Sequence, residues 1–136
     1  MSTALSILLA EDNPGDAFLI NEALSSAELH FRLHRVEDGG QALKALDEIE
    51  KQQGIVNLIV LDLNLPKVSG HELLARIRAN QYFRETPVIV MTSSDSPEDR
   101  KQANALGVAS YLRKPTDLNE FLSFGALVKA VCQRQD

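Results

Sequence analysis

The chain has 136 residues, 44% hydrophobic and 24% charged, with a net charge of −5. That is one globular domain's worth of chain, with no need of a disulfide or structural metal, and its acidic balance excludes nucleic acid as the main partner because duplex binding rests on Lys and Arg neutralising phosphates. The lone cysteine, Cys132, excludes an internal disulfide, reads as a small apolar residue of the last helix, and points to a reducing compartment.

The longest apolar run, Leu5 with Ile7 to Ala10, is too short to cross a bilayer and lacks the basic flank of a signal peptide, so a cytoplasmic protein without membrane contact is expected. Ile7 to Ala10 reads as a strand buried on both faces, ending in Glu11-Asp12. Asn13-Pro14 supplies an N-cap and an N1 proline for a helix carrying Phe18, Leu19, Ala23 and Leu24. Phe31 to Val36 alternates imperfectly and is expected at or near a sheet edge. Gly39-Gly40 reads as a turn rather than a phosphate cradle, and leads into a helix with Leu43, Leu46 and Ile49 at three-residue spacing that Gly54 ends. Leu58 to Leu61 is the clearest buried strand, and Asp62 follows it. His71 to Ala79 is predicted helical, and Val88 to Met91 forms another buried strand, followed by Thr92. Ser96-Pro97-Glu98-Asp99 combines a cap, an N1 proline and acids that the helix dipole favours, and Gly107 stops that helix. Val108 to Leu112 is the fifth predicted strand, with Lys114 just beyond. A last helix starts near Asp117, where Glu120 completes a capping box, and runs to about Gln133.

Five strands alternating with five helices predict an α/β fold: a doubly wound five-stranded parallel sheet, covered on both faces through right-handed crossovers. Such sheets place their functional crevice at the carboxyl ends of the strands, near the switch point in strand order. Glu11, Asp12, Asp62, Thr92 and Lys114 all follow apolar runs, so they converge on that rim. One acid at a strand end is an ordinary turn former or cap. Five polar residues at four strand ends make a candidate site. Converging carboxylates repel one another unless a cation offsets them, so Asp12→Ala is expected to gain stability in metal-free buffer. An all-oxygen donor set without His or Cys suits a hard cation, with Mg²⁺ the expected one.

The order and spacing of Glu11-Asp12, Asp62, Thr92 and Lys114-Pro115 resemble the receiver domain of bacterial two-component response regulators, from Ile7 to the final helix. The stretch from Asp62 to Leu74, opening Asp62-Leu63-Asn64-Leu65-Pro66-Lys67, resembles stand-alone receivers, including those paired with cyanobacterial phytochromes. The resemblance implies a flavodoxin-like, CheY-like fold: a single receiver domain over residues 1–136, its core at about 5–133, with no effector domain. It implies a signalling protein rather than an enzyme, catalysing only its own phosphorylation and dephosphorylation, with a sensor histidine kinase, phytochrome-like among the options, or a small acyl phosphate as donor. Asp62 would be the phosphoacceptor. Asp12 and Asp62 would bind Mg²⁺ through their side chains, Asn64 through its backbone carbonyl, and Glu11 through water. Lys114 would balance phosphoryl charge and Thr92 would hydrogen-bond a phosphoryl oxygen. Tyr111 would be either a core aromatic or, with Thr92, the switch pair. The Lys114-Pro115 peptide would be cis, turning the chain so that the ammonium aims back at Asp62.

Output would then pass by contact, to a downstream protein or phosphotransfer partner, through Ser96 to Leu106, Val108 to Leu112 and Asp117 to Gln133. Phe121, Leu122, Phe124, Leu127, Val128 and Val131 exceed one buried helical stripe. They either pack on the sheet or leave a self-complementary patch for a homodimer. A Mg²⁺-dependent phosphohydrolase with an aspartyl-phosphate intermediate would need a second acid where Asn64 stands, and a cap insertion that is missing. A non-phosphorylated interaction module would have lost a key residue, and none is lost. His30 and His34 fall on a strand without a third ligand and read as surface residues, as does His71 at a helix start.

Overall fold

The computed structural model describes residues 4–94 and 96–133. The apolar runs form β1 (Leu5–Ala10), β2 (Phe31–Val36), β3 (Leu58–Leu61), β4 (Val88–Thr92) and β5 (Ser110–Arg113). Between and after them lie α1 (Pro14–Ser26), α2 (Gly39–Lys51), α3 (Gly70–Ala79), α4 (Pro97–Ala105) and α5 (Leu118–Gln133). All strand pairs are parallel, in the order β2-β1-β3-β4-β5. Every residue of β3 and β4 is buried, as expected for strands with helices on both faces, whereas β2 alternates at the edge. The fifth strand begins two residues later than its apolar pattern predicts. Ala109 donates to the Val88 carbonyl, and the register starts with Ser110 opposite Ile89.

Successive strand side chains point to opposite faces and so divide the core. Leu8 and Ala10 pack with α2 and α3, and Ile7 and Leu9 pack with α1 and α5. On α5, Phe121, Phe124, Val128, Val131 and Cys132 are buried, and Leu122 and Leu127 are half-buried, so most of the apolar surplus faces inward. Gly125 lets α1 approach: a Cβ there would lie 2.4 Å from the Ala23 carbonyl oxygen. Helix starts are capped as their sequences suggest, with Asn13, Asp38, Ser69 and Ser96 each accepting from the N–H three residues on. The end of α2 departs from expectation. Its left-handed residue is Gln53 (φ 53°), and Gly54 instead closes the Schellman bond to the Ile49 carbonyl at 2.8 Å.

Gly39 and Gly70 press the loop after β3 into place. A Cβ on Gly39 would lie 2.0 Å from the Val68 carbonyl oxygen, and one on Gly70 would lie 2.4 Å from the Asp62 carbonyl oxygen. Gly39 is therefore a close-approach position at the start of α2, more than the turn its sequence context suggests.

The fourth helix buries a single side chain, Ala103. Polar contacts from α3 fasten it at both ends. His71 and Arg78 are seven residues apart and so share one face of α3. His71 Nε2 lies 2.9 Å from Asp99 Oδ1, and Arg78 donates to the Leu106 and Gly107 carbonyls at 2.8 and 3.1 Å. His71 is thus a half-buried bridging residue rather than an exposed one. Among the described residues, no helix is long and apolar enough to cross a membrane.

Candidate functional site

The strand order makes β1 and β3 neighbours from which the chain leaves in opposite directions, which is the switch point of the sheet. Backbone pairing fixes the residues beyond the strand ends. Asp62 N–H donates to the Ala10 carbonyl at 3.1 Å and Glu11 N–H to the Val36 carbonyl at 3.0 Å. Thr92 is the last residue of β4, and Lys114 N–H donates to its carbonyl at 2.8 Å. The five polar residues singled out from the sequence therefore share one rim.

Carboxylate oxygens of Glu11, Asp12 and Asp62 lie within 4.8 Å of one another. Glu11 and Asp62 are 1% and 4% exposed, while Asp12 faces solvent. The Lys114 ammonium sits among the acids, 2.9 Å from Glu11 Oε1, 2.9 Å from Asp62 Oδ2 and 2.8 Å from Asp16 Oδ2. The crowding expected at Asp12 is offset in part, because the lysine lies against Glu11 and Asp62 and Asp12 is open to solvent. The strain falls on Glu11 instead. Burial raises its pKa from 4.5 to about 7; hydrogen bonds from Lys114 and the Asn13 N–H pull it down, and the Asp62 charge adds to the rise. Burial alone would lower the Lys114 pKa, but its bonds to Asp16, Asp62 and Glu11 outweigh that and hold it well above the ordinary lysine value.

The surrounding loops are tied to this centre. Arg35, on β2, donates to the Glu11 carbonyl through Nε at 3.0 Å and to the Asp12 carbonyl through Nη2 at 3.2 Å. Asp62 Oδ1 accepts from the Asn64 N–H at 3.0 Å. Buried Thr92 Oγ1 accepts from the Ser94 N–H at 3.3 Å and from Asn64 Nδ2 at 3.5 Å. Tyr111 is 8% exposed, donates to the Ser94 carbonyl at 3.2 Å, and lies beneath the Arg100 guanidinium at 4.6 Å. Its ring is inside in this conformation. Ser94 Oγ also bonds Asp99, linking Thr92, Tyr111 and the start of α4 through one residue.

The expected cis bond is absent: among the described residues no peptide is cis, and Lys114–Pro115 is trans. The reason is that Lys114 continues the pairing with β4, which keeps the residue before proline extended, and its long side chain reaches Asp62 without a reversal of the chain. Two residues of the site went unnoticed in the sequence. Asp16 reads as an acid that the helix dipole favours, and Arg35 as the polar phase of an edge strand. Neither carries a signal of its own. An all-oxygen set with two buried carboxylates and one open to solvent suits a hard divalent cation.

Residues 7–124 match the family model of the response regulator receiver domain. The chain is 37% identical over 118 residues to the probable methanogenesis regulatory protein FilR2 of Methanothrix harundinacea, covering 84% of this chain and 74% of that protein. It is 36% identical over 116 residues to the response regulator Rcp1 of Synechocystis sp., covering 84% and 79%. The crystal structure of Mn(2+)-bound Rcp1 superposes with a TM-score of 0.82 at 34% identity, over 93% of this chain and 92% of that one. The crystal structure of the phosphorylated cyanobacterial phytochrome response regulator RcpA gives a TM-score of 0.87 at 29% identity, over 98% and 97%.

Proposed function

The chain belongs to the response regulator receiver domain family, whose function is phosphorylation-based signalling, and from that premise we propose that Asp62 is its phosphoacceptor and Mg²⁺ its cation. The observation that carries this reading is the Lys114 ammonium, 2.9 Å from Asp62 Oδ2, beside Glu11 and Asp12 at the switch point of the sheet.

In the proposed reaction a carboxylate oxygen of Asp62 attacks phosphorus. A P–O bond forms, the bond from phosphorus to the donor's histidine nitrogen or acyl oxygen breaks, and the leaving group keeps the electron pair. When bound through the side chains of Asp12 and Asp62, the Asn64 carbonyl and, through water, Glu11, Mg²⁺ supplies positive charge to the phosphoryl oxygens. Lys114 neutralises developing charge as well, already desolvated and close to its target. Thr92, whose Oγ1 accepts from Asn64 and Ser94, donates its hydroxyl hydrogen to a phosphoryl oxygen.

Two rivals fit less well. A phosphohydrolase would need a proton-transferring acid where Asn64 donates its amide to Thr92. A receiver-like module without phosphorylation would not need Lys114, Thr92 and three acids brought to one rim. The likeness to RcpA supports a phytochrome-type histidine kinase as donor. The surface of α4, β5 and α5 is the proposed output face, because Ser94 joins Thr92, Tyr111 and Asp99 there. A downstream protein or a second copy of the chain would dock on it.

Acetyl phosphate with MgCl₂ should add one phosphoryl group to the wild type and none to Asp62→Asn, read by intact mass. An undiminished adduct on Asp62→Asn would overturn the assignment.

A further inference from the structure

Of the three carboxylates on Lys114, only Glu11 and Asp62 belong to the acidic group at the strand ends. The third, Asp16, comes from the first turn of α1, 98 residues away in the chain. Its position is set locally: Pro14 opens the helix, Asn13 caps it, and the Asp16 N–H donates to Asn13 Oδ1 at 3.1 Å. The contact is sheltered, with the Lys114 side chain 14% exposed and that of Asp16 24%. An ammonium has three N–H donors. Glu11, Asp16 and Asp62 match that number.

We infer that Asp16 is a positioning residue for the phosphoryl-transfer site: it holds the Lys114 ammonium from the helix side, keeps it from neutralising Glu11 and Asp62 completely, and retains it when those acids turn to a cation. The inference rests on the functional reading above. The chemistry follows from competition for shared acceptors. A divalent cation at Glu11, Asp12 and Asp62 draws on the same carboxylates as two of the three lysine bonds. The bond to Asp16 is outside that competition, because Asp16 is not part of the acidic group. A lysine without this anchor settles more firmly on Glu11 and Asp62, opposing the cation, and its flexible stem no longer holds the ammonium where the phosphoryl oxygens need it. The plainer role for an acid at this position, interaction with the helix dipole, would act on α1 without reference to Lys114.

The test is a double-mutant cycle on the full chain with Asp16→Asn, Lys114→Met and the pair. In calorimetric titrations with MgCl₂, Asp16→Asn should weaken binding about fivefold in the wild-type background and change it less than about twofold in the Lys114→Met background, a coupling within the range for groups in contact. The phosphorylation rate with acetyl phosphate at saturating MgCl₂ should show the same pattern, with Asp16→Glu recovering part of the loss. Equal losses in both backgrounds would reduce Asp16 to a distant charge and overturn the proposal, as would no loss in either. A third readout needs neither metal nor phosphate. In EDTA, the ¹⁵N-detected Lys114 ammonium resonance should be slow to exchange in the wild type and exchange-broadened in Asp16→Asn. An unchanged resonance would overturn the anchor. If the resonance responds but the wild type takes up no phosphoryl group, the functional reading fails and the anchor stands.

Discussion

Glu11 makes metal-free stability depend on pH in a direction that can be worked out in advance. Its carboxyl is buried against Asp62 and holds its proton up to about pH 7, against 4.5 when unfolded. The folded state thus binds this proton more tightly than the unfolded one. The corresponding stability is fully present below pH 4.5 and is lost as pH rises through about 7. At about 1.4 kcal/mol for each pH unit, the loss amounts to about 3 kcal/mol, or roughly 10 °C in Tm for a chain of this length. Lys114 does not obscure the effect. Its pKa is held above the ordinary lysine value, so its contribution persists throughout this window and declines only in strong alkali. Urea melts in EDTA, at intervals from pH 4.5 to 8, should show the wild type falling away from Glu11→Gln, which lacks the titrating group. MgCl₂ should restore wild-type stability above pH 7, since a ligand of the folded state alone stabilises it. Parallel curves for the two proteins in EDTA would refute the reasoning, because the burial of Glu11 would then carry no free energy.

Gly70→Ala should lower stability by about 1–3 kcal/mol in urea melts, since the added Cβ would lie 2.4 Å from the Asp62 carbonyl oxygen and 2.4 Å from Leu63 Cα, and backbone cannot step aside. An unchanged midpoint would show that the loop after β3 is not pressed against α3. Arg78→Met should cost about 2 kcal/mol, because the guanidinium serves the carbonyls of Arg84, Thr86, Leu106 and Gly107. The loss should appear as faster amide exchange at the carboxyl end of α4, and uniform protection would argue against the clasp.

The features legible in the sequence were those that repeat locally. Apolar runs bounded by polar residues marked all five strands. Because parallel sheets collect function at strand ends, the same boundaries bring Glu11, Asp12, Asp62, Thr92 and Lys114 to one rim. Cys132 proved buried beside α5's aromatics, as a small apolar residue would be. Contacts made by crossover geometry were not legible. Lys114 meets Asp16 only because α1 lies beside α5 on the same face of the sheet, and no periodicity encodes that meeting. Arg35 and His71 look like solvated residues until another element arrives beside them, the Glu11 and Asp12 carbonyls for Arg35 and the Asp99 carboxylate for His71. The cis bond was expected from the need to aim Lys114, and a flexible four-carbon stem met that need with an ordinary backbone.

The sparse burial of α4 has a thermodynamic consequence of its own. A helix that inserts one alanine and is otherwise tied by His71, Arg78, Ser94 and the Arg100–Tyr111 contact can separate from the sheet with less new apolar surface reaching water than α1, α2, α3 or α5, which each bury four residues or more. Both the urea dependence and the heat capacity of an opening scale with such surface, so this opening would respond less to denaturant and temperature than the opening of the other helices. Its enthalpy would be that of a few charged hydrogen bonds, and salt, more than urea, would drive it. In native-state hydrogen exchange, the α4 amides should form a group whose opening energy falls less steeply with urea than that of β3 and β4, which follow the global slope. An element released this cheaply can be repositioned by an event at Thr92 without loosening the core beneath it.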